Sequence, residues 1–475
     1  MPKFFFETYG CQMNLAESAA LALMARERGW EETFDSGEAD LVLLNTCSVR
    51  ATAEQRVMGR LAHYAALKKK QASKKQASRK QASGTEKLSG AFPFTLVLAG
   101  CMAERIGEKL KKEIPELDYT MGTSARSSFP LILEAVEQGR SSAEIDPAEK
   151  PVFSFSSVHL DPAGKNPFRS FVPIMHGCNN FCSYCIVPYV RGREVSRSPD
   201  EILEEIRLVG EKGVREITLL GQNVNSYYYK GPGSARLDFP GLLELIARVT
   251  QPHGTWEEPG VRWVRFLSSH PKDFSPQTIK VIAENPAFCR HIHLCVQHGS
   301  NRILSAMNRR YTREAYLALV TSLRSALPDL SLSTDILVGF PGETEEDLEE
   351  TLDLMEEVKF LYAYMYHYNP REGTAAYTLP GRISEDVKRN RLSRVIALQK
   401  RHTSELLKSR IGKGTTVLFE GISRKNADEL ISRTERDEMV VVRGNAGAIG
   451  KFGRLTLSSL RGNTFRASAF ELIRP

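Results

Sequence analysis

The chain has 475 residues, a length that suits about two to four domains. Its composition, 41% hydrophobic and 25% charged, is typical of globular proteins. No apolar run approaches the roughly 20 residues that a bilayer span requires. The apolar run at the start is too short for a secretory signal, because a charged residue follows by position 7. The eight cysteines are too sparse for a disulfide framework, so we expect a cytoplasmic protein whose thiols bind metal.

The formal net charge of +7 is concentrated in two regions. Residues 68–83 contain seven Lys or Arg and no acid, within a basic-Lys-Gln-Ala-Ser unit that occurs three times. Residues 409–475 contain twelve basic side chains against seven acidic ones. Because the repeat has no apolar face, we expect residues 68–84 to be a solvated, disordered insertion; a basic arm that touches RNA phosphates is the alternative.

Three short apolar runs in the N-terminal part, at 3–7, 41–45 and 95–99, each precede a turn and a helical pattern, as in a parallel α/β sheet. A cysteine follows each run, and these are Cys11, Cys47 and Cys101. The loops at the carboxyl ends of parallel strands share one edge of the sheet, where ligands collect. We therefore expect the three thiols to meet there, with unrelated buried thiols as the alternative.

The tightest group of cysteines is Cys178, Cys182 and Cys185, with three and then two residues between neighbours. Three thiolates from one loop can each bind one iron of a four-iron, four-sulfur cluster, which leaves the fourth iron without a protein ligand. The fourth iron is then open to chelate S-adenosylmethionine (SAM) through its amine and carboxylate. A structural zinc site is the alternative, but it needs four ligands, usually as two short pairs, and no second pair follows.

From about residue 171 the sequence alternates strands and helices six times, which predicts an incomplete parallel barrel. The expected strands are 172–175, 216–220, 263–267, 291–296, 333–338 and 362–366, and the expected helices include 202–210 and 242–249. Such barrels place their chemistry at the carboxyl ends of the strands, and Cys178 follows the first strand directly. Cys289 and Cys295 lie beside the fourth strand, and we expect them to be structural.

A helix expected at 385–409 ends this barrel, and expected strands at 415–421, 438–443 and 454–460 predict a small all-β barrel after it. The basic surplus of this region favours an RNA partner, and a tail domain without a ligand is the alternative. The predicted domains are a parallel α/β domain at 1–145, a partial (β/α)6 barrel at 165–408 and the small β-barrel at 409–475.

Five motifs resemble those of radical SAM methylthiotransferases, and the resemblance covers nearly the whole chain. The motifs are Tyr9-Gly10-Cys11-Gln12-Met13-Asn14, Asn45-Thr46-Cys47-Ser48-Val49-Arg50, Gly100-Cys101-Met102-Ala103, Ile186-Val187-Pro188-Tyr189-Val190-Arg191-Gly192-Arg193-Glu194 and Gln297-His298-Gly299-Ser300-Asn301. The resemblance implies an N-terminal cluster-binding domain, a radical SAM barrel and a C-terminal RNA-binding TRAM domain. The basic repeat departs from the family pattern, and we interpret it as a tolerated loop insertion.

The resemblance further implies two 4Fe-4S clusters and no side chain acting as acid or base. Cys178, Cys182 and Cys185 would hold the radical-generating cluster, and Cys11, Cys47 and Cys101 an auxiliary cluster. One SAM would methylate a sulfur on the auxiliary cluster, and a second would yield the radical that starts functionalisation of a base carbon. The implied partners are tRNA, an electron donor such as flavodoxin or ferredoxin, and a sulfur donor or iron–sulfur assembly proteins, with the chain itself a monomer.

Six further side chains are candidates for contacts with the cofactor or the RNA. Tyr184, Gln222, Asn223 and Gln297 are candidates for SAM contacts, because they lie in the cysteine loop or at strand ends. Arg191 and Arg193 are candidates for RNA phosphates, and an ion pair with Glu194 or another acid is the alternative.

The Gln-Met-Asn that follows Cys11 favours one branch of the family. This branch adds a methylthio group to C2 of N6-dimethylallyladenosine at position 37 of tRNA, next to the anticodon. The alternatives are branches that act on threonylcarbamoyladenosine in tRNA or on a ribosomal protein. A non-catalytic iron–sulfur protein that binds RNA is an alternative of another class.

Overall fold

The computed structural model describes residues 1–48, 51–81, 94–140, 166–231, 236–250 and 260–473. The chain forms two compact units, Met1–His159 with Ile186–Val195, and Leu160–Cys185 with Ser196–Pro475. Within the described ranges, no helix combines the length and the apolarity needed to cross a membrane.

The first unit is built on a parallel sheet of five strands in the order β2-β1-β3-β4-β5. The strands are β1 (Lys3–Thr8), β2 (Glu31–Glu32), β3 (Leu41–Thr46), β4 (Thr95–Gly100) and β5 (Tyr119–Met121). The helices are α1 (Gln12–Glu27), α2 (Ala51–Gln81), α3 (Cys101–Glu113), α4 (Phe129–Glu137) and α5 (Val187–Arg191), with a 3-10 turn at Ala125–Ser128.

The buried strand β3 divides the core of this unit into two layers. Leu41 and Leu43 pack with side chains of α1 and α4, whereas Val42 and Leu44 pack with side chains of α2 and α3. Successive side chains of a strand point to opposite faces, so a fully apolar run can bury both faces of the sheet. The sheet is therefore covered on both sides, and its loops at the carboxyl edge are held by a rigid scaffold.

The basic repeat is helical where the structure describes it, because α2 continues to Gln81. The expected disorder was therefore wrong for residues 68–81; residues 82–84 lie outside the described ranges. Lys, Gln, Ala and Arg are all strong helix formers, and the repeat contains neither Gly nor Pro. At its start, Lys68 pairs with Asp118 and Lys69 with Glu116, at 3.1 Å for the second pair.

The second unit contains the partial barrel that the strand and helix alternation predicted. Its six parallel strands form two sheets, ordered β6-β9-β12 and β13-β14-β15. Isolated parallel bridges, Val264 to Phe288 and Ser269 to Leu294, connect β12 and the residues after it to the residues on either side of β13. The strands up to this point are β6 (Arg169–Pro173), β7 (Met175–His176), β8 (Val195–Ser196), β9 (Glu216–Leu220), β10 (Tyr228–Tyr229), β11 (Leu237–Asp238), β12 (Trp263–Phe266), β13 (His291–His293), β14 (Ser331–Val338) and β15 (Tyr362–His367). The helices are α6 (Pro199–Glu211), α7 (Phe239–Thr250), α8 (Pro276–Glu284), α9 (Asn301–Ala306), α10 (Arg313–Ala326), α11 (Glu345–Val358) and α12 (Glu385–Lys408), with 3-10 turns at Val224–Ser226, Pro271–Asp273 and Ala375–Thr378.

A seven-stranded sheet follows α12, in the order β20-β21-β18-β17-β16-β19-β22. Its strands are β16 (Gly414–Ser423), β17 (Asn426–Thr434), β18 (Met439–Arg443), β19 (Phe452–Thr456), β20 (Ser459–Arg461), β21 (Thr464–Ala467) and β22 (Phe470–Leu472), with a 3-10 turn at Ala446–Ala448. The single strand expected at 454–460 is thus two strands, and β17 was missed because it begins in polar residues.

This C-terminal sheet lies in the same compact unit as the barrel, rather than in a unit of its own. The guanidinium of Arg265 donates to the carbonyl oxygens of Thr434 and Glu435 at 2.8 and 2.9 Å. The same side chain pairs with Glu216 at 3.0 Å, and Glu216 also pairs with Arg169 at 2.6 Å. A buried ionic network therefore joins the two regions across the boundary expected at residue 409.

Candidate metal centres

The cysteines Cys11, Cys47 and Cys101 come together at one edge of the first sheet. They follow β1, β3 and β4, which are neighbours in the sheet. Gly10 lies so close to the second of them that an added Cβ would be 2.4 Å from the Cys47 Cβ. The parallel topology thus brings cysteines that are far apart in sequence to the same edge of the sheet.

Two of these cysteines lie at the N-termini of helices. Cys11 is the residue before α1 and Cys101 is the first residue of α3, so both stand at the positive end of a helix dipole. Burial nevertheless raises the pKa of Cys101 to about 12, while the charge of Arg191 acts to lower it. A metal that displaces the proton would therefore supply most of the driving force for a thiolate here.

Asn14 fixes the backbone around the first trio. Its Nδ2 donates to the carbonyl oxygens of Tyr9 and Thr46, both at 2.9 Å, and these residues precede Cys11 and Cys47 in the chain. Its Oδ1 accepts a hydrogen bond from the Cys11 thiol at 3.4 Å. The Asn14 amide therefore connects two of the three cysteine loops. In the sequence, the only signal for this role was that Asn14 belongs to the motif Tyr9-Gly10-Cys11-Gln12-Met13-Asn14.

Arg191 is not at the surface, which corrects the expectation that it contacts RNA phosphates. It is 4% exposed, and its Nη1 lies 2.6 Å from Oε1 of Glu17. The structure therefore supports the alternative of an ion pair with an acid, and it identifies Glu17 as such a partner. Arg193, two residues on, is exposed, and its contact with RNA stays a prediction.

The second trio lies in the loop that follows β7. Gly177 and Phe181 have left-handed backbones, with φ of +80° and +48°, so the loop departs from extended structure at both residues. The Cys185 amide donates to the Cys182 carbonyl at 2.9 Å, which closes a tight turn between the last two cysteines. Cys178 and Cys182 are buried, and Cys185 is half-buried.

Two side chains that the sequence analysis missed brace this loop. The Asn308 amide donates to the carbonyl oxygens of Asn180 and Phe181 at 3.3 and 2.9 Å, and Arg309 Nη1 lies 3.4 Å from the Cys182 sulfur. The polar segment Asn308-Arg309-Arg310 shortly after α9 was the available signal, but nothing local links it to a loop 127 residues earlier. Hydrogen bonds to a ligand sulfur stabilise its thiolate and tune the metal bound there.

The four candidates for SAM contacts have different surroundings in the structure. Gln222 accepts from the Gly177 amide at 2.5 Å, and Tyr184 packs on a cluster that includes Met307 and Phe340. Asn223 is buried and donates to Asp273 at 2.7 Å, which makes it part of the scaffold. Gln297 has a left-handed backbone and donates to Asp335 at 3.4 Å.

The donor chemistry of both trios fits iron–sulfur clusters. Each offers three soft thiol ligands on loops that can curve around a cluster. A side chain at Gly10 would clash with Cys47, and a side chain at Gly177 would strain a left-handed backbone. The other two cysteines are not part of either group. Cys289 packs with Trp263 and Phe452, and burial is the main cause that raises the pKa of Cys295.

Known proteins similar to this chain cover both units. Residues 3–122 match the Uncharacterized protein family UPF0004, and residues 172–355 match the Radical SAM superfamily. The chain is 48% identical to the tRNA-2-methylthio-N(6)-dimethylallyladenosine synthase of Treponema denticola, over 98% of this chain and 99% of that protein. It is 41% identical to the protein of the same name from Bacteroides thetaiotaomicron, over 98% of this chain and 95% of that protein.

A solved structure supports the fold independently of these sequences. The radical SAM methyltransferase TsrM from Kitasatospora setae, solved with cobalamin and a 4Fe-4S cluster bound, superposes with a TM-score of 0.56. The match covers 79% of this chain and 77% of that chain, at 15% sequence identity. At this identity the likeness concerns the fold alone.

Proposed function

This chain belongs to the family of tRNA-2-methylthio-N(6)-dimethylallyladenosine synthases, which are radical SAM methylthiotransferases, and we propose that it methylthiolates C2 of N6-dimethylallyladenosine at position 37 of tRNA. The family identified from its motifs is thereby confirmed. The identity of 48% to a relative of that name supports the substrate, and the presence of two cysteine trios on two separate units supports the use of two clusters. Radical formation and sulfur transfer each need an iron site with one open position, and two trios offer two such sites.

The cysteine loop of the barrel would hold the cluster that binds SAM. When bound, this cluster supplies the one-electron chemistry that cleaves SAM into a radical able to attack an inert aromatic C–H bond. The residues of this chain position and shield the site: Gln222 fixes the start of the loop, while Asn308 and Arg309 hold its middle. Tyr184 contributes an apolar wall from within the loop itself.

The first trio would hold the auxiliary cluster that delivers the sulfur. Cys47 and Cys101 are buried, whereas Cys11 is exposed, so access to such a cluster is from the Cys11 side. We propose that two SAM molecules are consumed for each product, one as the methyl donor and one as the source of the radical. The base must leave its stack to be modified, as in other enzymes that act on RNA bases.

Nucleoside analysis of tRNA tests the proposed substrate. In cells that lack this chain, we expect the 2-methylthio-dimethylallyladenosine peak to vanish and unmethylthiolated dimethylallyladenosine to accumulate. Wild-type chain and the matched Cys289→Ala control should restore the peak, whereas Cys47→Ala and Cys182→Ala should not. An unchanged peak would refute the proposal, and loss of a threonylcarbamoyladenosine derivative instead would move the activity to another branch of the family.

A further inference from the structure

Arg191 is held beside the first cysteine trio by two buried polar side chains. Its Nη1 donates to Oε1 of Glu17 at 2.6 Å, and its Nη2 lies 3.3 Å from Oε2 of the same carboxylate. Nη2 also donates to Oδ1 of Asn14 at 3.1 Å, the atom that accepts the Cys11 thiol. Two side chains of α1 therefore fix the orientation of the guanidinium relative to the start of that helix.

The helix that carries Arg191 packs against the third cysteine of the trio. Ile186 and Val190 form a buried apolar cluster with Cys101. The Thr123 hydroxyl also donates to the Val190 carbonyl, which anchors the helix to the loop after β5. The short helix is thus seated on the cysteine-bearing side of the first unit.

The charges around Arg191 suit an anion at the cysteines. Burial alone would lower the pKa of Arg191, yet the thiolate forms of Cys101 and Cys11, together with the Glu17 carboxylate, hold it well above its ordinary value. A second buried guanidinium, that of Arg126, lies 4.0 Å from the same Glu17 carboxylate. Two cations thus share the Glu17 carboxylate, and Cys101 and Cys11 would add further negative charge near Arg191 once they lose their protons to a metal.

A cluster on three thiolates is an anion, and burying an anion is costly unless a cation compensates it. Net charge and hydrogen bonding around such a cluster also set its reduction potential. On the basis of the proposed auxiliary cluster, we propose that Arg191, oriented by Glu17 and Asn14, is the positioning residue that compensates the charge of this cluster and sets its reduction potential. If Arg191 and Glu17 formed only a structural ion pair, then removing the positive or the negative charge would not shift the reduction potential of the cluster in opposite directions.

The test uses the full chain with Cys178, Cys182 and Cys185 replaced by alanine, so that of the two cysteine trios only the first can hold a cluster. In this parent we compare Arg191→Gln, Arg191→Lys and Glu17→Gln by iron content and by redox titration followed by electron paramagnetic resonance. Arg197→Gln is the matched control, since Arg197 is likewise buried and pairs with the buried Glu205, within the second unit.

We expect Arg191→Gln to raise the ratio of oxidised to reduced cluster at a fixed applied potential at least tenfold. This change corresponds to a reduction potential about 59 mV more negative. Glu17→Gln should shift the potential in the opposite direction, because it removes a negative charge. Arg191→Lys and Arg197→Gln should each stay within about threefold of the parent ratio.

Potentials of Arg191→Gln and Glu17→Gln that move in the same direction, or not at all, would overturn the inference. If Arg191→Gln fails to bind iron, a rise in potential in Glu17→Gln supports the inference and its absence overturns it. A parent chain that binds no cluster would instead refute the auxiliary site of the proposed function, which separates that failure from failure of the role of Arg191.

Discussion

At Gly10, a single added methyl group should disrupt the proposed auxiliary metal centre and leave the proposed radical SAM centre intact. Its backbone has φ of +120°, and a Cβ added there would lie 2.4 Å from the Cys47 Cβ and 3.1 Å from the Cys47 sulfur. Ordinary contacts begin at 3.4 Å, so in Gly10→Ala the cysteine must move by about 1 Å. Metal–ligand distances tolerate only about 0.2 Å of error, so this displacement should empty the first trio.

Gly29 provides the matched control for the backbone strain. It also has a left-handed backbone, with φ of +83°, but no atom lies within 4 Å of an added Cβ. Both substitutions therefore carry a conformational cost of about 1–2 kcal/mol, and Gly10→Ala adds an overpacking cost of about 1–3 kcal/mol. Chemical denaturation of the metal-free chains measures these two contributions.

Iron analysis after anaerobic reconstitution then decides the question. We expect about eight irons per chain for the wild type and for Gly29→Ala, and about four for Gly10→Ala. The remaining cluster should still cleave SAM to 5′-deoxyadenosine under reducing conditions. A Gly10→Ala protein that retains about eight irons would show that Cys47 is not a ligand or that the loop has another way to accommodate the methyl group.

Three further predictions concern the second unit. Asn308→Ala removes both amide hydrogen bonds to the cysteine loop, and we expect it to cost about 1–2 kcal/mol and to lower iron retention at that loop on anaerobic gel filtration. Cys289→Ala and Cys295→Ala should retain about eight irons per chain, and loss of half the iron in either would contradict their structural assignment. Burial by itself would raise the pKa of Asp347, but hydrogen bonds from Arg302 and from its helix cap outweigh this and lower the pKa to about 2 from 3.8. The carboxylate therefore stabilises the fold above pH 3.8 and loses this effect as the pH falls through about 2, so Asp347→Asn should be about 1 kcal/mol less stable at pH 7 and should approach the wild type only below about pH 2.

The positions of the cysteines were predictable because they depend on local patterns joined by a general rule of topology. The apolar runs at 41–45 and 95–99 correspond to β3 and β4, and parallel strands bring the residues that follow them to one edge. The second trio needed no topology at all, since its three cysteines are within eight residues of each other. Both fold class and family could therefore be inferred before any coordinates were considered.

The side chains that support the cysteines were not predictable in this way. Glu17 and Arg191 are 174 residues apart, and each looks like an ordinary surface charge in its local sequence. Burial of a charged side chain depends on a partner that only the tertiary structure supplies. The helical state of residues 68–81 was missed for a different reason, because the lack of an apolar face was weighed above strong helix propensity.

The two proposed metal centres differ in how the fold holds their cysteines, and this difference determines how each should lose its metal. The first trio is spread over three strands, so its geometry depends on the register of the sheet and on the buried polar contacts of Asn14. The second is a single loop whose shape is set by two left-handed residues and a few side-chain hydrogen bonds. Changes that loosen the first unit should therefore release iron from the first trio together with loss of its secondary structure. Changes in the braces of the second trio should instead release iron while the barrel stays folded, since a loop can rearrange without breaking the strands that carry it.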